Sequence, residues 1–375
     1  MTPPGNARPV SEVRGPVVGS MVGTARAGLA GLDELRRFQG RMLDRLGFGP
    51  RQSPSCVLLE TPAMRVRSYP ADGSSPPVLL VAAPIKRAYI WDLTPQASTV
   101  RRVVDGGYAV HLVEWRDPTP ADADRGLAAY ADLLLGQAVE AVHRVGGRAP
   151  VLVGHSLGGT LAALFAAAHP ERVRGLVLLE APLHFGADAG AFAPLVAASP
   201  DLRPLQPALG AVPGSLLDLA TVVAAPREFL VERYLDLLAT AGRPRGDLHL
   251  RVVRWTLDEF ALPARLFTEI VEDLYRRDAL MRGELTIAGR RIGPDTLTVP
   301  LLTVVDPRSA AVPPSSILPF HHAAAGPDKA LLHYRGDDGV ALQHLGVLIG
   351  ANAHTILWPQ ILDWIHHLPE HPGLV

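Results

Sequence analysis

Ser156 stands in Gly154-His155-Ser156-Leu157-Gly158, after the apolar run Val151 to Val153 and before the small-residue stretch Gly158 to Ala166. A strand that turns sharply into a helix through G-x-S-x-G forms a nucleophile elbow. The strained turn lifts the serine hydroxyl clear of the sheet. Glycines at 154 and 158 remove side chains that would collide where strand and helix approach. The Leu157 N–H, at the new helix's N-terminus, points where an oxyanion would develop. Ser156 is the candidate nucleophile, and Leu157 supplies the first candidate oxyanion donor.

A serine hydroxyl is nearly inert at neutral pH and needs a base, itself oriented by an acid. With this elbow the chain order is serine, acid, histidine, each on a loop at the strands' C-terminal ends. His344 follows the last expected strand and is the candidate base; His354, ten positions on, is the runner-up. His155 is expected to point away from the nucleophile. His321, His322, His366, His367 and His371 read as surface residues, and no H-E-x-x-H spacing calls for a metal. For the acid, Asp306 is preferred because it directly follows the expected strand Leu301 to Val305. Glu180, at the end of the strand after the elbow helix, is the alternative. Asp337 and Asp338 read as solvated turn residues.

These groups need a rigid platform. Val78 to Ala82, Val110 to Glu114, Val151 to Val153, Leu176 to Leu179, Pro300 to Val305 and Ala330 to Tyr334 read as strands. They alternate with helical patterns at Leu93 to Asp105 and Ala121 to Val145, and a closing helix follows from Trp358. Strands apolar on both faces, alternating with helices, predict a mostly parallel sheet covered by helices on both faces; together with the elbow this predicts the α/β-hydrolase fold. Between Pro182 and Leu297 the alternation is lost in Pro/Ala-rich loops and helical patterns, which predicts an inserted helical cap over 183–297. Residues 1–16 read as disordered. The helical spacing of Met21, Leu29, Leu32, Leu35, Phe38, Met42 and Leu46 predicts an amphipathic segment. The division is thus 1–50 for that N-terminal segment and 51–375 for the main domain.

Composition narrows the field. Apolar residues make up 48% of the 375, enough for a large core. Lys and Arg number 36 against 37 Asp and Glu, without a basic tract, which argues against nucleic acid as a partner. The single cysteine, Cys56, excludes an intrachain disulfide and is read as a buried strand residue. No run of about 18 apolar residues appears, so no transmembrane segment is expected, and the N-terminus lacks an export pattern. The expected location is cytoplasmic.

Four ordered segments carry a family resemblance. Pro84-Ile-Lys-Arg-Ala-Tyr-Ile-Trp-Asp-Leu93, Gly107-Tyr-Ala-Val-His-Leu-Val-Glu-Trp-Arg-Asp-Pro118, Leu280-Met-Arg-Gly-Glu-Leu-Thr-Ile-Ala-Gly289 and His344-Leu-Gly-Val followed by Trp358-Pro-Gln-Ile-Leu-Asp-Trp364 are involved. They are similar in type and order to segments of polyhydroxyalkanoate synthases, from about Thr61 to Leu368. The resemblance implies His344 as the base, since the family's histidine opens the matching H-x-G segment. Three positions depart from the family. Ser156 replaces its elbow cysteine, Ser309 falls where its catalytic aspartate lies, and Lys86 replaces an asparagine after Pro-Ile. The second oxyanion donor would be the Ile85 peptide.

A cysteine nucleophile keeps an acyl group activated as a thioester, whereas a serine holds it as an ordinary ester, for which water competes well. The expectation is a serine esterase or thioesterase acting on acyl or hydroxyacyl esters, with no cofactor. Synthase-like acyl transfer from coenzyme A thioesters is the alternative. A third reading is a weakly catalytic homologue that binds polyester granules or a partner, or self-associates.

Overall fold

The computed structural model describes residues 16–70, 75–240, 242 and 244–369. Eight strands form the central sheet: β1 (Cys56–Glu60), β2 (Met64–Ser68), β3 (Pro77–Val81), β4 (Ala109–Trp115), β5 (Val151–His155), β6 (Gly175–Leu179), β7 (Leu301–Val305) and β8 (Lys329–His333). Their order is β1-β2-β4-β3-β5-β6-β7-β8. The pairs β1–β2 and β2–β4 are antiparallel, and every pair from β4 to β8 is parallel. Strands β3, β5, β6 and β7 are buried along their whole length, which is the condition that lets them be apolar on both faces. The sheet is the mostly parallel one expected from the alternation, and with the elbow at the end of β5 the fold is the expected α/β-hydrolase fold.

Some boundaries move. The helix expected over 93–105 begins only at Thr99, because Asp92–Thr94 and Ala97–Ser98 pair first as a small hairpin. Buried Asp92 accepts from Ser98 Oγ at 2.6 Å and from Ser53 N at 2.6 Å, tying that hairpin to the preceding loop. Cys56 is exposed, not buried. Its strand is the sheet's edge, and only one neighbour covers it. His321 is buried, with Nδ1 2.9 Å from Thr303 Oγ1, so it is a core residue and not a surface one.

The segment between β6 and β7 is mainly helical, and three of its helices matter for the site: Gly214–Ala224, Arg233–Thr240 and Pro244–Thr256. Helix Pro16–Arg45 packs against the first and third of these. Its polar face makes the contact. Arg36 pairs with Asp218 and, at 3.0 Å, with Glu259; Arg254 pairs with Asp44 at 2.8 Å; Asp33 accepts from Ser215 N at 2.9 Å. Leu32, Leu35, Phe38, Met42 and Leu46 lie exposed on the other side. The apolar periodicity was thus a guide to a helix but not to its buried face, because charge pairing fixes the helix's orientation. The expected disorder of residues 1–16 falls almost wholly outside the described residues. Among the described residues no single helix is long and apolar enough to cross a membrane.

Candidate active site

Strand β5 delivers Ser156, which has φ 54° and ψ −134° and caps helix Leu157–Ala168. A non-glycine residue held in this region stores strain, which persists only when its surroundings over-determine it. The surroundings do so here. A side chain at Gly158 would run into the Val81 and Ala82 backbone, and one at Gly154 into the Gly159 backbone. Ser156 N donates to Leu179 O at 3.1 Å, pinning the elbow to β6. The helix that follows is buried almost throughout, so the turn cannot relax by moving outward.

Glu180 directly follows β6. It is fully buried, has φ 45°, and its N–H donates to Val304 O at 3.0 Å. Its Oε2 lies 3.1 Å from His344 Nδ1. The approach is oblique rather than a linear hydrogen bond, and neither carboxylate oxygen has any other partner. Burial drives the Glu180 pKa up to about 7, against the opposing pull of His344. Burial alone would lower the His344 pKa, but Glu180, with Glu228 and Asp306 further off, holds it above the ordinary histidine value.

Asp306, the preferred acid, does not reach the histidine. Its carboxylate turns back onto its own loop, where Oδ1 accepts from Arg308 N at 2.8 Å, while Oδ2 is buried without a partner. The residue right after β7 is held by the local turn Asp306-Pro-Arg-Ser, in which Ser309 N donates to Asp306 O at 3.2 Å. Ser309 is also buried and its hydroxyl serves Val312 N at 3.4 Å. The carboxylate paired with His344 is therefore Glu180, the alternative. The sequence carried one overlooked signal for it. A carboxylate closing the wholly apolar run Gly175 to Leu179 has to be buried, and a buried charge needs a partner.

His344 sits on the short turn Gln343–Leu345. His155 does not point away from the site: its ring lies against that of His344, tilted by 35° with the centroids 4.5 Å apart, and its Nε2 lies 2.8 Å from the His344 carbonyl oxygen. Burial pushes the His155 pKa well down, so it is neutral and can donate from Nε2. His354 is buried elsewhere with Nε2 unpartnered, its pKa lowered by burial to about 4. Asp337 is not a solvated turn residue. It is buried and accepts from Tyr334 Oη at 2.6 Å and Asn352 N at 2.9 Å, bracing the start of the histidine loop.

Ser156, His344, Ile85 and Leu157 all line one cavity of about 750 Å³. Its walls are largely apolar, with Trp91, Leu217, Phe229, Phe267 and Tyr275 among them. The Leu157 and Ile85 N–H groups engage no acceptor among the described residues. At Leu157 this follows from its place in the first helical turn. His155, Glu180 and His344 bring ligand-type atoms within 4.8 Å of one another. Yet His155 Nε2 is directed at a carbonyl and Glu180 at Nδ1, so the cluster orients a histidine and does not present an open metal site.

Comparison with known proteins bears on the fold that carries this site. Residues 76–209 match the family model described as alpha/beta hydrolase fold. A poly(3-hydroxyalkanoate) polymerase subunit of Haloferax mediterranei is 27% identical over 326 residues, covering 85% of this chain. The match spans 65% of that relative's length, so the chain corresponds to just under two thirds of it. The subunit of the same name from Synechocystis sp. is 26% identical over 349 residues, covering 90% of this chain and 89% of the relative. Among solved structures, a hydrolase from Pseudomonas aeruginosa has a TM-score of 0.50 at 16% identity, covering 84% of this chain and 99% of that one, a likeness of fold alone. With an elbow, a parallel sheet and these relatives in agreement, the chain is an α/β-hydrolase superfamily protein that resembles the polyhydroxyalkanoate synthases.

Proposed function

We propose that this protein is a serine hydrolase, an esterase or thioesterase that cleaves acyl or hydroxyacyl esters through an acyl-enzyme on Ser156. The observation that carries the proposal is the convergence, on one apolar cavity, of a serine held at positive φ and a histidine contacted by a buried carboxylate. In this reading Glu180 keeps the proton on His344 Nδ1, leaving Nε2 to act as base. The Ser156 hydroxyl attacks the substrate carbonyl and its proton passes to Nε2. The oxyanion is received by the Leu157 and Ile85 N–H groups. Collapse breaks the C–O or C–S bond, and the leaving group takes the proton from His344. Water, deprotonated in turn by His344, attacks the Ser156 ester; the acid leaves and Ser156 regains its proton.

The apolar lining suits the acyl chain. An oxygen ester on serine is less activated than a thioester, so water competes well with an incoming alcohol. The second reading is acyl transfer between hydroxyacyl groups, favoured by the likeness to polymerase subunits. Incubation with 3-hydroxybutyryl-CoA and with a 3-hydroxybutyrate ester separates the two. Free 3-hydroxybutyric acid supports hydrolysis; growth of an oligomer supports transfer. If neither substrate turns over, the weakly catalytic reading replaces both.

A further inference from the structure

The catalytic histidine is not positioned by its own loop alone. Asp236, on the inserted helix Arg233–Thr240, reaches across to the loop that leads into His344. Its Oδ1 accepts from Gly339 N at 2.6 Å and its Oδ2 from Ala341 N at 2.9 Å. The two residues it holds are unusual. Gly339 has φ 81°, and Ala341, a residue with a Cβ, has φ 63°. That conformation is strained for a non-glycine residue and persists only where its surroundings enforce it. Asp236 is held in turn: buried His249 places Nδ1 2.9 Å from the same Oδ2. Burial would raise the Asp236 pKa, but these three donors outweigh it and keep the carboxyl below its ordinary range, hence charged.

Resting on the reading of His344 as the base, we propose that Asp236 is a positioning residue, through which the inserted helices set the catalytic histidine in place. Two residues separate Ala341 from His344, and Leu345 N donates back to Leu342 O at 3.0 Å, so the strained turn and the histidine turn form one continuous unit. Loss of the carboxylate leaves two backbone N–H groups without their acceptor and lets Ala341 relax to negative φ. The His344 ring then shifts relative to Ser156. A displacement of about 1 Å at a reacting group costs about 10²-fold in rate. A second carboxylate from the same insert, the buried Glu228, accepts from Ala311 N at 3.0 Å on the loop after β7, so the insert grips both loops at the strands' ends.

The experiment compares Asp236→Ala and Asp236→Asn with the wild-type protein by ester turnover, by the rate of fluorophosphonate labelling, and by amide hydrogen exchange. For Asp236→Ala, kcat and labelling rate fall about 10²-fold while KM for a short ester stays within about twofold, the signature of a misplaced base rather than a lost pocket. Exchange accelerates in the peptide covering 339–345 and nowhere else in the core. Asp236→Asn, which keeps one acceptor oxygen in the same place, gives an intermediate loss and serves if the alanine variant does not fold. Unchanged kcat, or unchanged exchange over 339–345, overturns the proposal even where the melting temperature falls. Should the wild-type protein neither label nor turn over, the hydrolase reading fails by itself, and the exchange measurement alone decides whether Asp236 holds the loop.

Discussion

Ser156 and Glu180 occupy equivalent positions at the ends of neighbouring parallel strands. His155 pairs with Leu179 in the sheet register, and the next residue on each strand turns to positive φ, 54° at Ser156 and 45° at Glu180. The chain thus bends twice, side by side, each time with a polar side chain at the bend. The loop after β8 brings His344 to the Glu180 carboxylate. In the proposed mechanism nucleophile and acid are fixed by two adjacent strands, and only the base depends on a long loop.

This arrangement sets apart the two carboxylates considered for the acid. Glu180→Gln removes the charge that stabilises the imidazolium and is expected to cut turnover by about 10³–10⁴-fold, as loss of a triad carboxylate does. Asp306→Asn keeps its turn bond from Arg308 N and is expected to lower turnover by less than about tenfold. Steady-state kinetics of the two variants on one ester measures both. The reverse order would return the acid to Asp306.

The pH profile follows from the same pair. The base must be neutral to accept the serine proton, so kcat/KM rises with pH through the pKa of the His344–Glu180 pair. His344 is held above its ordinary value, so the limb is expected above the ~6.5 of a free histidine. In Glu180→Gln the main raising partner is gone while burial remains, so whatever activity survives shows its limb at lower pH. A limb that stays in place in this variant would separate Glu180 from the base.

Much of this was legible in the sequence, and the failures have physical causes. The elbow was readable because its geometry demands particular residues: only glycine fits where Gly158 meets the Val81 and Ala82 backbone. The parallel strands were readable from apolar runs that are buried along their whole length. The choice between Asp306 and Glu180 was not readable from order along the chain, because both follow strands that abut in the sheet, β6 and β7. What decides between them is the local turn at Asp306-Pro307-Arg308, which draws Oδ1 of that carboxylate onto Arg308 N and away from His344. The role of His155 was hidden for a similar reason: strand alternation says which face a residue takes but not which loop lies over it. The burial of Asp337 likewise depends on Tyr334 and Asn352, which come together only in three dimensions.

Packing at the elbow gives a prediction about stability. Gly158→Ala places a methyl group against the Val81 and Ala82 backbone, which cannot yield without moving β3. The expected cost is about 1–3 kcal/mol of folding stability, as for other overpacked sites. It should be accompanied by loss of activity in the protein that remains folded. Urea denaturation with a parallel ester assay checks it, and full activity at unchanged stability would contradict the elbow packing.

The nucleophile's chemistry is tested by Ser156→Cys. A thioester intermediate stays activated toward alcohols, so the ratio of acyl transfer to hydrolysis is expected to rise with thioester substrates. Product analysis in the presence of an added alcohol reads the ratio directly. An unchanged ratio would mean that water access, rather than the nucleophile atom, sets the outcome.

The most direct test is whether Ser156 is an activated nucleophile at all. The protein is treated with a fluorophosphonate, the adduct counted by intact mass, and its site mapped by peptide sequencing. One adduct per chain on Ser156 is expected, absent in Ser156→Ala and formed more slowly by orders of magnitude in His344→Ala. No adduct, or an adduct on another residue that survives Ser156→Ala, would contradict the assignment.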